Sequence, residues 1–269
     1  MPNDAASLQA QVDERLWYHS LELAPGVVTP GWFDHRGIAD TFPWPDLRGR
    51  RCLDVGTFDG FWAFYMERGG AAEVIAVDEL DPALWDWPEG SSPEVMEIIA
   101  ARNRNGGFQL AHEALGSSVE RRHVNVYDLD PDAVGTFDVV YVGSLLLHLR
   151  DPLRALAAVR SVCRPGATVL LVDAIDLELT LLARDRPVAW LDGLGRHWWW
   201  KPNLAGLARF AESSGLRVLQ RQRLYMPAGA GQATPRPALR DLRSHHGRLA
   251  AVTWRRGDPH GLVLAQRPH

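Results

Sequence analysis

The chain has 269 residues, a formal net charge of −4, 46% apolar residues and 23% charged residues, which is typical of one soluble globular domain with an elaboration. No apolar run approaches the roughly 20 residues of a membrane span, and the acidic start MPNDAASLQAQVDERL does not resemble a secretory signal. The acidic balance argues against a dedicated nucleic-acid binder, and a cytoplasmic location fits best.

Residues 1–45 are predicted to form an N-terminal helical arm. Apolar residues at helical spacing predict an amphipathic helix over residues 7–18, and Tyr18 and His19 lie at its end. Because the arm precedes the first core strand, it must cover another part of the molecule. We expect Tyr18 and His19 to contact an acceptor substrate there, with a plain surface histidine as the alternative for His19.

The segment RRCLDVGTFDGFWAFY, residues 50–65, predicts a buried strand over 51–55, a tight glycine turn and a helix over 60–68. Such a unit holds a nucleotide cofactor. No phosphate-binding GxxxxGK[ST] string is present, and Phe58 occupies the middle glycine position of a dinucleotide fingerprint, which argues against NAD. Asp54 adds negative charge that suits a cationic ligand. The candidate cofactor residues of this turn are Asp54, Gly56, Thr57, Phe58 and Gly60.

Further strands and helices alternate along residues 46–269, which predicts a parallel α/β sheet. Asp78, about 20 residues past the glycine turn, is placed to accept hydrogen bonds from ribose hydroxyls. Ser144 opens the carboxyl end of a later strand, where ligands bind in open α/β sheets. The predicted strands after the turn are 73–77, 122–126, 137–142, 168–172, 216–224 and 262–265. The main predicted helices are 93–104, 108–115, 177–183 and 204–214, with another that begins near Pro152.

Two insertions are expected around the acceptor site, at about 176–202 and 227–260. The first holds four consecutive candidates for the acceptor pocket, which are His197, Trp198, Trp199 and Trp200. Three adjacent tryptophans cannot all face one core, so at least one is expected to face a cavity. The second insertion is rich in arginine and is either a basic lid or a solvated excursion. No Cys/His spacing supports a metal site.

The string Asp-Val-Gly-Thr-Phe-Asp-Gly-Phe-Trp, residues 54–62, resembles the first motif of the class I S-adenosylmethionine (SAM)-dependent methyltransferases. The strings Trp17–Ser20, Ala111–Gly116 and Val126–Leu129 resemble the subgroup near the tRNA wobble-uridine (mo5U34, CmoB-like) methyltransferases. The resemblance implies a Rossmann-like seven-stranded sheet, mostly parallel with the last strand antiparallel, and SAM as the cofactor. It also implies that Asp128 and Leu129 contact the adenine.

His148 is the candidate base, since an imidazole with a pKa of about 6.5 can take a proton from a hydroxyl or amine. In the resembled family the corresponding histidine often only shapes the pocket. We expect O- or N-methylation of a small molecule of specialised metabolism. The alternatives are a tRNA wobble-uridine methyltransferase and a non-catalytic SAM-binding protein. A carboxylated SAM would need a cation near the transferred group, and the sequence assigns none.

Overall fold

Short apolar strands lie side by side at the centre of the computed structural model, which describes residues 5–104, 106–232 and 236–269. Leu53, Ile75, Val140 and Leu170 are fully buried, because helices and the arm cover both faces of the sheet. The strands are β1 Glu22–Ala24, β2 Val27–Val28, β3 Arg51–Val55, β4 Glu73–Asp78, β5 Glu120–His123, β6 Phe137–Gly143, β7 Cys163–Ala174, β8 Ala189–Leu191, β9 Trp200–Pro202, β10 Arg217–Met226 and β11 Asp258–Gln266.

Helices flank this sheet. Several begin at residues whose side chains cap the first turn, such as Asp151 before Pro152 and Asn203 before Leu204. The helices of the described residues are α1 Ala5–Asp13, α2 Phe61–Arg68, α3 Pro93–Arg104, α4 Gly107–Leu115, α5 Pro131–Val134, α6 Pro152–Ser161, α7 Leu177–Leu182, α8 Leu204–Ser213 and α9 His245–Arg256. None of these helices combines the length and the apolar character needed to cross a membrane.

The seven central strands follow the order β10-β11-β7-β6-β3-β4-β5. The last strand of the chain, β11, is antiparallel to both of its neighbours, whereas the other pairings are parallel. This confirms the predicted Rossmann-like sheet. From β3 the chain adds β4 and β5 on one side of the sheet and then β6 and β7 on the other. The carboxyl ends of β3 and β6 therefore border a crevice at the switch point, where open α/β sheets bind ligands.

Several predicted element bounds are wrong, and the strand predicted at 168–172 is the longer β7, Cys163–Ala174. The first helix ends at Asp13 rather than at residue 18. The strand predicted at 122–126 is β5, Glu120–His123, a polar edge strand that pairs only with β4 and therefore lacks an apolar signal. Strand β11 begins at Asp258 rather than at residue 262, so the predicted 227–260 insertion includes its first residues.

The predicted insertions acquire their own secondary structure. The 176–202 segment contains α7 and the antiparallel pair β8 and β9. The 227–260 segment contains α9, and its residues 233–235 lie outside the described part of the chain, as do residues 1–4 of the predicted arm. The division into an arm over 1–45 and a domain over 46–269 stays a prediction.

Candidate functional site

A cavity of about 470 Å³ lies at the carboxyl ends of β3, β4 and β6. Its walls come from the arm, the glycine turn, the loops after β4 and β6, the 197–201 segment and the start of β11. Many of the lining side chains are aromatic, and the volume is that of a small-molecule site. These aromatic residues are Tyr18, Trp32, Phe33, Phe58, Trp62, Trp85, Trp87, Tyr127, Tyr141 and Trp198.

The glycine turn is held from within by Asp54. Its carboxylate accepts hydrogen bonds from Thr57 Oγ1 at 2.7 Å and from the Ala63 amide at 3.1 Å. Burial raises the pKa of Asp54 to about 6. Gly56 lines the cavity with a φ of 79°, a conformation that favours glycine. Asp54 and Thr57 therefore shape the turn, and Gly56 presents bare backbone to the ligand space.

Phe58 takes a left-handed conformation, with a φ of 51°, where the resembled motif has glycine. Two contacts compensate this strain. Its amide donates to Asp78 Oδ2 at 3.0 Å, and its ring lies 4.8 Å from the Tyr18 ring. The Phe58 ring is part of the cavity wall, so this residue closes the site on the side of the arm.

Asp78 ends β4 and lines the cavity. Besides the Phe58 amide, its Oδ2 accepts from Arg121 Nη2 at 3.0 Å. Burial raises the pKa of this carboxyl to about 6 although Arg121 opposes the shift. An acceptor carboxylate held at the wall beside a glycine turn fits the ribose of a nucleoside cofactor, so the residues present fit the cofactor expected from the sequence.

Asp128 and Leu129, which the resemblance assigns to the adenine, lie outside the cavity. The Asp128 side chain is 73% exposed and faces Arg154 at 3.9 Å, while Leu129 packs in the core. The physical reason is the early end of β5, which shifts the loop so that Asn125, Val126 and Tyr127 line the cavity instead. Gly60 also lies outside it, at the start of α2.

Ser144 follows β6 with a φ of 48° and lines the cavity. Its amide donates to Val172 O at 2.7 Å, which fixes the turn. Its hydroxyl is joined by hydrogen bonds to the Tyr18 hydroxyl and to His260 Nε2, the latter at 3.2 Å. Burial raises the pKa of Tyr18. Tyr18, Ser144 and His260 thus form a continuous polar chain in an otherwise aromatic wall.

Sequence reasoning missed His260 and Asp258. His260 is buried, and its Nδ1 lies 3.1 Å from the Asp258 carbonyl oxygen and 3.4 Å from Asp258 Oδ2. Burial lowers the pKa of His260. The alternation of Asp258, His260 and Leu262 along an extended strand was the available signal, but the predicted strand began at residue 262.

Asp59, inside the glycine turn, is a third residue that sequence reasoning missed. Its Oδ2 accepts from the amides of Tyr18 at 2.7 Å and His19 at 3.0 Å, and its Oδ1 bonds His19 Nδ1. Both side chains of the Asp59–His19 pair are nearly fully buried. The cofactor turn therefore holds the arm directly and places the Tyr18 hydroxyl at the cavity.

His148 and His197 form one corner of the cavity. His148 Nδ1 lies 2.6 Å from the His197 carbonyl oxygen, and the two rings stack at 5.6 Å. Burial lowers the pKa of His148, and burial together with His148 lowers that of His197 to about 4. Both imidazoles are therefore neutral at pH 7, and both line the cavity.

The three consecutive tryptophans separate. Trp198 lines the cavity, whereas Trp199 donates its Nε1–H to Asp86 O at 2.6 Å and Trp200 donates to Arg150 O at 3.2 Å. Trp199 and Trp200 thus attach the segment to neighbouring loops. Within the described ranges, no group of three or more His, Cys, Asp or Glu side chains is placed to hold a metal ion.

The chain is 28% identical over 176 residues to a tRNA U34 carboxymethyltransferase of Azotobacter vinelandii, an alignment that covers 64% of this chain and 47% of the relative. It is 30% identical over 125 residues to a ubiquinone biosynthesis O-methyltransferase of Xanthomonas campestris pv. campestris, covering 46% and 43% of the two chains. The alignments to the first three curated relatives span 32% to 60% of their lengths.

The fold resembles the crystal structure of the N-terminal domain of EvdMO1 in the presence of SAH and D-fucose. The TM-score is 0.55 at 18% identity, and the match covers 99% of this chain and 97% of that one. A family model described as a methyltransferase domain matches residues 34–221, well over half of the chain. These findings confirm the resemblance drawn from the glycine turn and agree with SAM as the cofactor. The chain belongs to the methyltransferase domain family.

Proposed function

We propose that this chain transfers a methyl group from SAM to a hydroxyl oxygen of a small acceptor. The observation that carries this proposal is the polar chain of Tyr18, Ser144 and His260 in the wall of the aromatic cavity. The cofactor half of that cavity is formed by Gly56, Phe58 and Asp78. The remaining space is concave, mostly apolar and supplied with a few convergent polar groups, as small-molecule sites are.

His260 is the proposed base. The Asp258 carbonyl oxygen can only accept a hydrogen bond, so Nδ1 of the neutral ring carries the proton and Nε2 is the free acceptor. Nε2 faces Ser144 Oγ. It takes the acceptor's hydroxyl proton directly or through that serine. The lowered pKa of His260 keeps the ring neutral at pH 7.

When bound, SAM supplies an electrophilic methyl group on a sulfonium, which is a good leaving group. The chain's own residues orient the acceptor and exclude water, which are the main demands of this displacement. His260 Nε2 would take the acceptor's hydroxyl proton as the acceptor oxygen bonds the methyl carbon, and the electron pair of the broken C–S bond would stay on sulfur. Tyr18, held by Asp59, closes the site above Ser144.

His148 remains a second candidate base, because the His197 carbonyl also leaves its Nε2 unprotonated. His260 is favoured because its Nε2 meets a hydroxyl that already belongs to a polar chain. We also propose a cytoplasmic location, with which the free, buried thiols of Cys52 and Cys163 agree.

A tRNA wobble-uridine activity is the alternative that the curated relatives favour. An arginine-rich segment supports it, with Arg236, Arg240, Arg243, Arg248, Arg255 and Arg256. The net charge of −4 favours a small acceptor. Phosphate contacts make RNA affinity fall steeply with salt, which separates the two functions.

The first test is calorimetric titration of the protein with SAM and with NAD. The second is titration with tRNA at 50 and 200 mM salt, about the range over which phosphate contacts weaken. Methyl-transfer assays on hydroxylated and aminated small molecules follow. We expect SAM binding, no salt-sensitive tRNA binding, and transfer to hydroxyls. Salt-sensitive tRNA binding would support the alternative. SAM binding without turnover on any acceptor would indicate a non-catalytic SAM-binding protein. NAD binding without SAM binding would refute both the small-molecule and the tRNA methyltransferase functions.

His260→Gln is expected to lower kcat about a hundredfold, the usual contribution of a general base, with little change in KM. In the wild type, kcat should rise with pH as His260 loses its proton, and burial places this acid limb below pH 6.5. The His260→Gln variant should lose this acid limb of the kcat–pH profile. The assay uses the hydroxylated acceptor with the highest turnover.

His148→Gln is the matched control, since it removes an equally buried cavity imidazole. We expect a smaller loss of kcat and an unchanged acid limb. If His148→Gln instead abolishes the limb while His260→Gln preserves it, the base is His148.

A further inference from the structure

Lys201 is the only lysine of the chain. It lies in β9 and lines the cavity, and among the described lining residues it is the only lysine or arginine. Its Nζ lies 5.6 Å from the centre of the Trp198 ring. No carboxylate of the described residues lies within ion-pair distance of it. The ammonium group therefore has an aromatic neighbour but no fixed counter-ion.

The acidic side chains of the same wall are, in contrast, all engaged by other groups. Each contacts another polar group, and none lies within ion-pair distance of Lys201. The pairs are Asp78 with Arg121 at 3.0 Å, Glu79 with His123 at 2.5 Å, Asp86 with the Tyr127 hydroxyl at 2.5 Å, and Asp258 with His260 at 3.4 Å. A partly buried cation without a partner is costly, which points to an anion supplied by a ligand.

Lys201 lies on the acceptor side of the cavity. Lys201 and His260 line the same cavity, where burial first and the charge of Lys201 in addition lower the pKa of that imidazole. His260 is on β11, which is separated from β3 by β7 and β6. Three strand spacings amount to about 14 Å, so the strand that carries His260 is well separated from the strand that leads into the Gly56 turn.

We propose that Lys201 binds the carboxylate of the acceptor, and that the acceptor is a small hydroxy acid with an apolar or aromatic body. This inference rests on the proposed function and adds a substrate class to it. The acceptor's hydroxyl meets Ser144 and His260, its carboxylate meets Lys201, and its body packs against Trp198 and the other aromatic walls. An ammonium–carboxylate hydrogen bond in a partly desolvated site favours the acid over a neutral analogue.

The test uses the full chain saturated with SAH and two probes, salicylate and salicylamide. These share the ring and the hydroxyl and differ in the carboxylate. We expect salicylate to bind at least roughly tenfold tighter, the loss expected when a charged hydrogen bond disappears. Lys201→Gln should abolish the preference, and Lys201→Arg should retain it. Arg209→Gln removes the same charge on the far face of α8, in a surface pair with Glu212, and should change nothing.

A wild-type protein that binds salicylate no tighter than salicylamide, or a Lys201→Gln protein that keeps the preference, would overturn the inference. The competing source of a carboxylate is the cofactor's own amino-acid end. Lys201→Gln is expected to leave the SAH affinity within about twofold of the wild type. If SAH weakens tenfold while 5′-methylthioadenosine, which lacks the carboxylate, is unaffected, Lys201 serves the cofactor and the inference fails. Failure of the wild type to bind SAH at all would refute the proposed function itself.

Discussion

Asp78→Ala is expected to weaken SAH binding by about a hundredfold or more, roughly 3 kcal/mol, because two charged hydrogen bonds to the ribose are lost. The carboxylate already stands at the cavity wall, fixed by the Phe58 amide and Arg121. Calorimetric titration with SAH measures the effect, and circular dichroism verifies the fold. Asp78→Asn, which keeps the shape and loses the charge, should show an intermediate affinity.

Asp128→Ala is the matched control. The resemblance assigns this residue to the adenine, but its exposed side chain faces Arg154 rather than the cavity. We expect an unchanged SAH affinity. A second readout comes from pH: since burial raises the pKa of Asp78 to about 6, the wild-type affinity should fall as the pH drops through that value and the carboxylate is protonated. A large loss in Asp128→Ala with normal binding in Asp78→Ala would reverse our assignment.

Asp59→Ala is expected to lower the free energy of unfolding by about 3 kcal/mol, because leaving buried hydrogen-bond donors without an acceptor costs about 1 to 3 kcal/mol each. The carboxylate bonds two arm amides and His19 Nδ1, all in the interior. Without it, two buried N–H groups and an imidazole lose their partner. Urea denaturation monitored by tryptophan fluorescence measures the change, and limited proteolysis should show cleavage in the arm before cleavage in the sheet.

Asp46→Ala is the matched control, because it removes an aspartate that pairs with Arg48 on the surface, before β3. Exposed pairs contribute little, so no measurable change in stability is expected. An Asp59→Ala protein as stable as Asp46→Ala, with an equally protected arm, would show that the arm is held by its apolar contacts alone.

The glycine turn at the proposed cofactor half of the site was predictable because its signals are local. Within residues 51–68, an apolar strand, the Gly56 turn and a helix follow one another directly, and each needs only its own residue types. Asp78 was predicted for the same reason, since it ends the next strand of the same unit, and it lines the cavity.

The proposed acceptor half was predicted only in part, because it is assembled from distant segments. Tyr18 meets Ser144, and Ser144 meets His260, 116 positions further along the chain. No periodic pattern in the sequence predicts a contact between residues so far apart. Polar strands added to the difficulty: β5 and the first residues of β11 lack the apolar alternation that marks a strand, because one is an edge and the other borders the cavity.

The composition of the cavity wall also allows it to be labelled selectively by a chemical reagent. The Lys201 side chain carries the only side-chain primary amine of the chain, so an amine-selective reagent has just two targets, this group and the chain's amino terminus. The terminal amine then serves as an internal reference for the reagent's reactivity. Mass spectrometry of the labelled protein therefore reports occupancy of the acceptor space directly, in the unmodified sequence and without knowledge of the acceptor.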